Sequence, residues 1–209
     1  MCAYMLILHL LPVTHTAFIT ESVSSQIVFK DRFYVSIPED GAQLWRTDGL
    51  TWEAVTTNGF GITQNTSISS LGIFDDHLYA VTHNQVTNLQ IWRTTNGLDW
   101  IQVVSGGLGN PAHNSGAGTQ LIEFQGQLFL FSGSLSFDRE VWRSTDGVAW
   151  EPVKFDEWAT SRNSMSVKPV TVFSGRMLAG TGILSPTQGF KLWSYLTHPY
   201  YLPLLALRN

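Results

Sequence analysis

Trp158 has neighbours that could take part in binding. Close to it along the chain stand Asp156, Glu157, Arg162 and Asn163. An aromatic ring beside acids and an amide can stack on a sugar ring or anchor a protein partner. In the structural alternative, the indole simply covers an exposed strand edge. Trp158, Asp156 and Arg162 are the first candidate binding residues.

Two His-Asn pairs are further binding candidates. They are His83 with Asn84 and His113 with Asn114. Both pairs lie in segments rich in Gly, Asn, Ser and His that differ between the repeats described below. Loops held on a rigid scaffold are where binding sites usually lie, so these four residues are expected on one binding face.

Catalytic, metal and cofactor motifs do not stand out in the sequence. The histidines lack metal-ligand spacing, and Asp75, Asp76 and Asp138 have no calcium loop around them. There is no Gly-x-Ser-x-Gly elbow, phosphate loop or dinucleotide fingerprint. We therefore expect no catalytic residue, metal or cofactor. A paired-carboxylate glycosidase stays an alternative, because acids remote in sequence can meet in a fold.

Composition limits the function classes. The 209 residues are 44% hydrophobic and only 13% charged, about half the usual charged fraction, which excludes a disordered chain. The net charge of −4 provides no basic surface for nucleic acid. The single cysteine, Cys2, excludes an internal disulfide. The length suits one large domain or two small ones, and the many tryptophans and glycines favour β structure.

The two ends of the chain are apolar. Residues 3–13 have no Lys or Arg before them and are interrupted by His9, so they fit a signal peptide poorly. They are also shorter than the roughly 20 residues of a membrane span. A buried strand or a ragged start is expected, with a signal peptide as the alternative. Residues 200–207 are expected to form an edge or buried strand.

A tryptophan motif is repeated along the chain. Gln43-Leu-Trp-Arg-Thr-Asp-Gly returns as Gln90-Ile-Trp-Arg-Thr-Thr-Asn-Gly and as Glu140-Val-Trp-Arg-Ser-Thr-Asp-Gly, with a degraded copy from Phe190. The leading tryptophans are Trp45, Trp92, Trp142 and Trp193, at steps of 47, 50 and 51 residues. A phenylalanine upstream repeats as Phe29, Phe74, Phe124 and Phe173, at steps of 45, 50 and 49. Two markers of matching period indicate a repeat architecture.

Each repeat is predicted to contain four short strands. In the third, the strands are expected near Thr119–Glu123, Gln127–Ser132, Glu140–Ser144 and Ala149–Val153. Asp-Gly and Asn-Gly pairs are strong hairpin signals, and no stretch has the period of a long helix. Four antiparallel strands in about 50 residues match a propeller blade. The predicted fold is all-β and β-propeller-like, with about four four-stranded antiparallel blades in a small closed ring or an arc of a larger propeller.

The repeats divide the chain into units within one domain overall. The expected units are an N-terminal segment 1–21, a first blade 22–66, a second blade 67–118, a third blade 119–166 and a degenerate fourth blade 167–209.

The hairpins resemble Asp-box, or BNR, repeats of the tandem-repeat propellers found in uncharacterised microbial surface proteins. Ser144, Asp146, Gly147 and Trp150 match that pattern with one residue missing. Because each such residue occurs once per blade, we expect it to serve the scaffold. The scaffold residues expected are Trp45, Trp92, Trp142, Trp193, Trp52, Trp100, Trp150, Asp48, Asn96, Asp146, Gly49, Gly97 and Gly147.

The resemblance also implies an enzymatic alternative, since Asp boxes occur in sialidases. Such families resemble one another in three arginines that clamp a carboxylate, a Tyr/Glu pair and an Asp. Arg46, Arg93 and Arg143 lie in the repeated motif, and the remaining arginines show no such context. Enzymatic activity is therefore left open, with a non-catalytic protein preferred.

Function is expected where the repeats differ. The loops between second and third strands, and the connections between blades, should share one face of a propeller. These are residues 38–41, 83–88, 133–139 and 182–189, with 58–66, 105–118 and 155–163. The sequence favours a non-catalytic module that binds carbohydrate or protein there, in an extracytoplasmic or cell-surface setting. The alternatives are a sialidase-like hydrolase and a structural fragment of a larger propeller, which would self-associate if its ring is open.

Overall fold

The computed structural model describes most of the repeat region. The described residues are 22–38, 41–84, 86–109, 119–132, 140–153, 164–183 and 191–195. They fold almost entirely into strands, with one short 3₁₀ turn at Gly107–Gly109. Within them, no helix has the length and apolarity needed to cross a membrane.

The strands form four antiparallel sheets in chain order. The first sheet contains β1 (Ser25–Phe29), β2 (Arg32–Ile37), β3 (Gln43–Thr47) and β4 (Trp52–Thr56). The second contains β5 (Asn65–Phe74), β6 (His77–Asn84), β7 (Gln90–Thr94) and β8 (Ile101–Val104). The third contains β9 (Gln120–Phe124), β10 (Gln127–Ser132), β11 (Glu140–Ser144) and β12 (Glu151–Val153). The fourth contains β13 (Ser164–Phe173), β14 (Arg176–Ile183) and β15 (Lys191–Tyr195). The predicted all-β, propeller-like fold is confirmed.

Each sheet is a meander in which neighbours along the chain pair with each other. The repeated phenylalanine ends the first strand, and the repeated tryptophan sits in the middle of the third. Tight turns join the first two strands, with Phe29 opposite Arg32 in the first sheet and Phe124 opposite Gln127 in the third. In the third sheet the strands start or end within two residues of the predicted positions. The register of strand pairing therefore follows the sequence repeat.

Three apolar cores lie between successive sheets. The first joins Phe29 and Leu44 of the first sheet to Leu78 and Trp92 of the second. The second core joins the second and third sheets, and the third joins the third and fourth. Each sheet therefore buries both faces only where it has a neighbour on both sides.

The first strands of the sheets lie side by side. Strand β1 contacts β5, β5 contacts β9, and β9 contacts β13. Loops between second and third strands also meet the connections between sheets, since the Ala42 amide donates to the Asn65 carbonyl (3.0 Å) and the Gly107 amide to the Leu89 carbonyl (2.9 Å). The side-by-side first strands place three polar segments around one cavity.

Candidate functional site

A cavity of about 460 Å³ lies where the first strands of three sheets converge. Three triplets line it: Ser24-Ser25-Gln26, Ser69-Ser70-Leu71 and Thr119-Gln120-Leu121. They hold the same repeat position, five to three residues before the phenylalanine that ends the first strand of each sheet. The described residues of the lining present hydroxyls and amides beside Leu71 and Leu121, and none of them is charged.

Some polar groups in this lining join neighbouring sheets. Ser25 Oγ accepts a hydrogen bond from the Leu71 amide (2.9 Å). Ser70 Oγ accepts one from the Leu121 amide (2.9 Å). These bonds fix the spacing of the walls, because each crosses from one sheet to the next.

Gln120 makes the same connection with two bonds. Its Nε2 donates to the Val170 carbonyl (2.6 Å), and its Oε1 accepts from the Val170 amide (2.9 Å). The side chain thus acts as an added backbone group between the third and fourth sheets. These two bonds hold the wall of the cavity rigid.

Thr119 places a buried hydroxyl in the described lining. Its residue is 1% exposed, and no described group bonds its Oγ1. Its counterpart in the second sheet, Ser69, instead donates to the Val81 carbonyl (3.3 Å). A buried hydroxyl without a partner costs about 1–3 kcal/mol, and because Thr119 Oγ1 is closed to solvent, a polar ligand would recover this loss only after a small movement of the cavity wall.

Asn84 is built into the interior. It is fully buried, its Nδ2 donates to Asn65 Oδ1 (2.9 Å), and its Oδ1 accepts from the Val86 and Thr87 amides (both 2.8 Å). Asn65 in turn donates to the Gly59 carbonyl (2.7 Å). The side-chain amide of Asn84 therefore secures the loop that follows β6.

His83, next to Asn84, lies on the side where loops and connections meet. Its Nδ1 is 3.2 Å from Thr66 Oγ1, while its Nε2 is buried with no described partner. Burial lowers the pKa of His83 below its ordinary value, so the ring is neutral at pH 7. A neutral imidazole with an unpaired nitrogen can form one further hydrogen bond.

The remaining candidate residues fall outside the described part of the chain. They are Trp158, Asp156, Arg162, His113 and Asn114. Their assignment as binding residues stays a prediction.

Repeated hairpin residues hold their own turns. Asp146 Oδ1 accepts from the Val148 and Ala149 amides (both 2.8 Å), and Asn96 Oδ1 does the same for Leu98 and Asp99 (both 2.9 Å). The two amide bonds hold the pKa of Asp146 below its ordinary value.

The arginines of the motif are engaged on the hairpins as well. Arg46 Nε donates to Glu53 Oε2 (2.8 Å), and Arg143 Nε to Glu151 Oε1 (2.6 Å). Arg93 Nη1 donates to the Asp146 carbonyl (3.3 Å). None of the three lines the cavity, and no three His, Cys, Asp or Glu of the described ranges lie close enough to hold a metal ion.

The cavity was not among the sequence candidates. Its triplets carry no motif of their own, and the counterparts lie 45 and 50 residues apart. One signal could have located it: a hydroxyl or amide stands four residues before the repeated phenylalanine, as Ser25, Ser70 and Gln120.

No protein-family model matches this sequence, and no curated protein matches it either. Solved structures share its fold. The catalytic domain of the Coprinopsis cinerea GH62 α-L-arabinofuranosidase has a TM-score of 0.56 and 15% identity, over 87% of this chain and 67% of its own. The Bacteroides ovatus GH43B of a xyloglucan locus has a TM-score of 0.54 and 11% identity, over 88% and 40%. The Podospora anserina arabinofuranosidase PaAbf62A, solved with cellotriose, has 0.54 and 15%, over 87% and 67%.

These likenesses concern architecture. Identities of 11–15% establish a β-propeller-like arrangement of blades and leave activity aside. A luciferin-regenerating enzyme has a similar TM-score, 0.53, with 13% identity over 82% of this chain. The chain spans 40% of the Bacteroides protein's length.

Proposed function

We propose that this chain is a non-catalytic β-propeller-like module that binds a neutral carbohydrate in the cavity between its first strands, with the variable loops adding contacts. The observation that carries the proposal is the set of hydroxyls and amides among the described lining residues, with the Thr119 hydroxyl buried and bonded by no described group. Sugar hydroxyls both donate and accept hydrogen bonds, as these groups do.

The non-catalytic part of the proposal rests on the same lining. Glycoside hydrolysis usually requires two carboxyl groups about 5–10 Å apart across the scissile bond, and none of the described residues that line the cavity carries one. Carboxylates outside the described residues would be needed for a hydrolase, which is the alternative that the assay below separates.

The ligands of two solved structures of similar fold supply the first probes. One is cellotriose, bound by the Podospora protein, and the other is β-1,3-galactotriose, bound by a Phanerochaete chrysosporium galactanase. Isothermal titration of the full chain with each sugar is expected to show binding of at least one. Chromatography of the same mixtures is expected to show no shortened sugar.

The variant Thr119→Val tests the cavity as the binding place. It keeps the side-chain shape and removes the hydroxyl, so affinity is expected to fall about tenfold, the equivalent of one lost hydrogen bond. Thr57→Val is the matched control, because Thr57 is exposed and lies away from the cavity lining. Equal affinity of both variants would exclude the cavity, and release of a shorter sugar would exclude the non-catalytic assignment.

A further inference from the structure

The hydrogen bonds within the cavity wall decide which polar groups remain for a ligand. Ser25 Oγ and Ser70 Oγ each accept from a backbone amide of the next sheet (both 2.9 Å), which is the one bond that either hydroxyl makes within the described residues. A serine hydroxyl also carries a hydrogen that it can donate. Each oxygen is thus engaged as an acceptor, while its hydrogen remains for a ligand in the cavity that both residues line.

Gln120 holds the same repeat position in the third sheet and leaves a donor as well. Its Oε1 accepts from the Val170 amide, and its Nε2 donates one hydrogen to the Val170 carbonyl. Because a side-chain amide nitrogen carries two hydrogens, the second one remains for a ligand. Three neighbouring sheets therefore present three donors at one repeat position, and the oxygen of each already holds a hydrogen bond.

Ser69, next to Ser70 in the lining, has the opposite balance. Its Oγ donates to the Val81 carbonyl (3.3 Å), so its hydrogen is used and its oxygen remains as an acceptor. Ser24 and Gln26 can both donate and accept, and they therefore favour no particular ligand group. The described wall thus offers several donors with an acceptor beside them.

Such a wall selects a ligand group that accepts strongly and carries no charge. A carboxylate would be buried without a counter-ion, because none of the described lining residues is charged, and such burial is costly. A sugar hydroxyl would satisfy one donor but would leave its own hydrogen in need of an acceptor. An amide group meets the pattern better, since its carbonyl oxygen accepts two hydrogen bonds and its nitrogen donates one.

We propose that the cavity selects an N-acetylated sugar, an inference that rests on the carbohydrate-binding function proposed above. The acetamido carbonyl accepts from the hydroxyls of Ser25 and Ser70, and the acetamido N–H donates to Ser69 Oγ. Gln120 Nε2 donates to a further oxygen of the same ligand. The acetamido group thus receives donors from two sheets and an acceptor from the second.

The test compares triacetylchitotriose with cellotriose. Both are β-1,4-linked trisaccharides of the same ring configuration, and they differ in carrying acetamido groups or hydroxyls at C2. Isothermal titration of the full chain is expected to give a Kd about tenfold lower for triacetylchitotriose, the difference that one additional hydrogen bond can make. Cellotriose bound as tightly as triacetylchitotriose, or more tightly, would overturn the N-acetyl preference and leave the proposed function standing.

The same titrations separate this preference from the function on which it rests. Binding of β-1,3-galactotriose without binding of triacetylchitotriose would overturn the preference alone. If none of the three sugars binds, the proposed carbohydrate-binding function falls together with the preference.

The variant Ser25→Ala assigns the preference to the cavity wall. It removes one donor, so the ratio of the two affinities is expected to fall about threefold or more, whereas a general loosening of the wall would weaken both sugars equally and keep the ratio. Ser67→Ala is the matched control, because Ser67 is a strand serine outside the described lining. An unchanged ratio in Ser25→Ala, or an equal fall in Ser67→Ala, would overturn the assignment. The comparison of sugars on the unchanged chain stands even if Ser25→Ala does not fold.

Discussion

Asp146 shows how one side chain can serve structure at a place where the motif suggests chemistry. Both amides after the turn donate to the same carboxylate oxygen, and Ser144 Oγ donates to it as well (3.0 Å). Asn96 makes the same pair of amide bonds without a charge. The position therefore requires an acceptor oxygen rather than an acid, and this is why Asp and Asn alternate there.

Replacing Asp146 separates the acceptor from the charge. Asp146→Ala removes both amide bonds and should lower the free energy of unfolding by about 1 kcal/mol, as loss of a capping residue does. Asp146→Asn keeps the acceptor and should be nearly neutral at pH 7. Urea unfolding of the three proteins at pH 7 measures these differences, and a loss in Asp146→Asn as large as in Asp146→Ala would contradict the acceptor role.

Lowering the pH should show how much the charge of Asp146 contributes to stability. Its folded-state pKa is lowered by the two amide bonds, so its contribution is present above the unfolded pKa of about 3.9 and is lost as the pH falls through the folded value. Between pH 5 and 2, the urea midpoint of Asp146→Asn should therefore fall less steeply than that of the unchanged protein. Parallel slopes would contradict this.

At the scale of elements, the strands could be predicted because every repeat marks them with the same phenylalanine and tryptophan, and the first three add an Asp-Gly or Asn-Gly turn. The cavity could not, because Ser25, Ser70 and Gln120 look like ordinary polar strand residues until the sheets stand side by side. Asn84 illustrates the opposite case: a polar residue in a variable segment suggested binding, but burial among Asn65 and the following amides decides its contacts.

The side chains that cross between first strands should govern how firmly the sheets hold together. Gln120→Ala leaves both backbone groups of Val170, which is 3% exposed, without this partner, and should cost about 2–3 kcal/mol. Ser70→Ala removes one acceptor and should cost about 1 kcal/mol. Denaturant unfolding gives the totals, and hydrogen exchange at the Val170 amide should rise in Gln120→Ala alone. Unchanged exchange at Val170 would contradict a direct link to the fourth sheet.

At the scale of the whole molecule, the described sheets form a series in which three cores lie between successive sheets. Burial of the repeated phenylalanine depends on the next sheet: Phe29, Phe74 and Phe124 are 3–6% exposed, whereas Phe173 is 68% exposed. The same residue in the same repeat position thus lies in a core or in solvent according to its neighbour. The repeat specifies the face of each blade, and the number of neighbours decides what that face contributes to stability.

Substituting the two phenylalanines measures this dependence on neighbours. Phe124→Ser removes a buried ring from the core between the third and fourth sheets and should lower the free energy of unfolding by about 3–5 kcal/mol. Phe173→Ser removes an exposed ring, so it should change stability by less than about 0.5 kcal/mol and raise the solubility limit, because less apolar surface faces water. Thermal unfolding and precipitation by ammonium sulfate test both variants side by side. A large loss of stability in Phe173→Ser would show that this ring is covered in solution, and its place in the stability of the fourth sheet would then have to be revised.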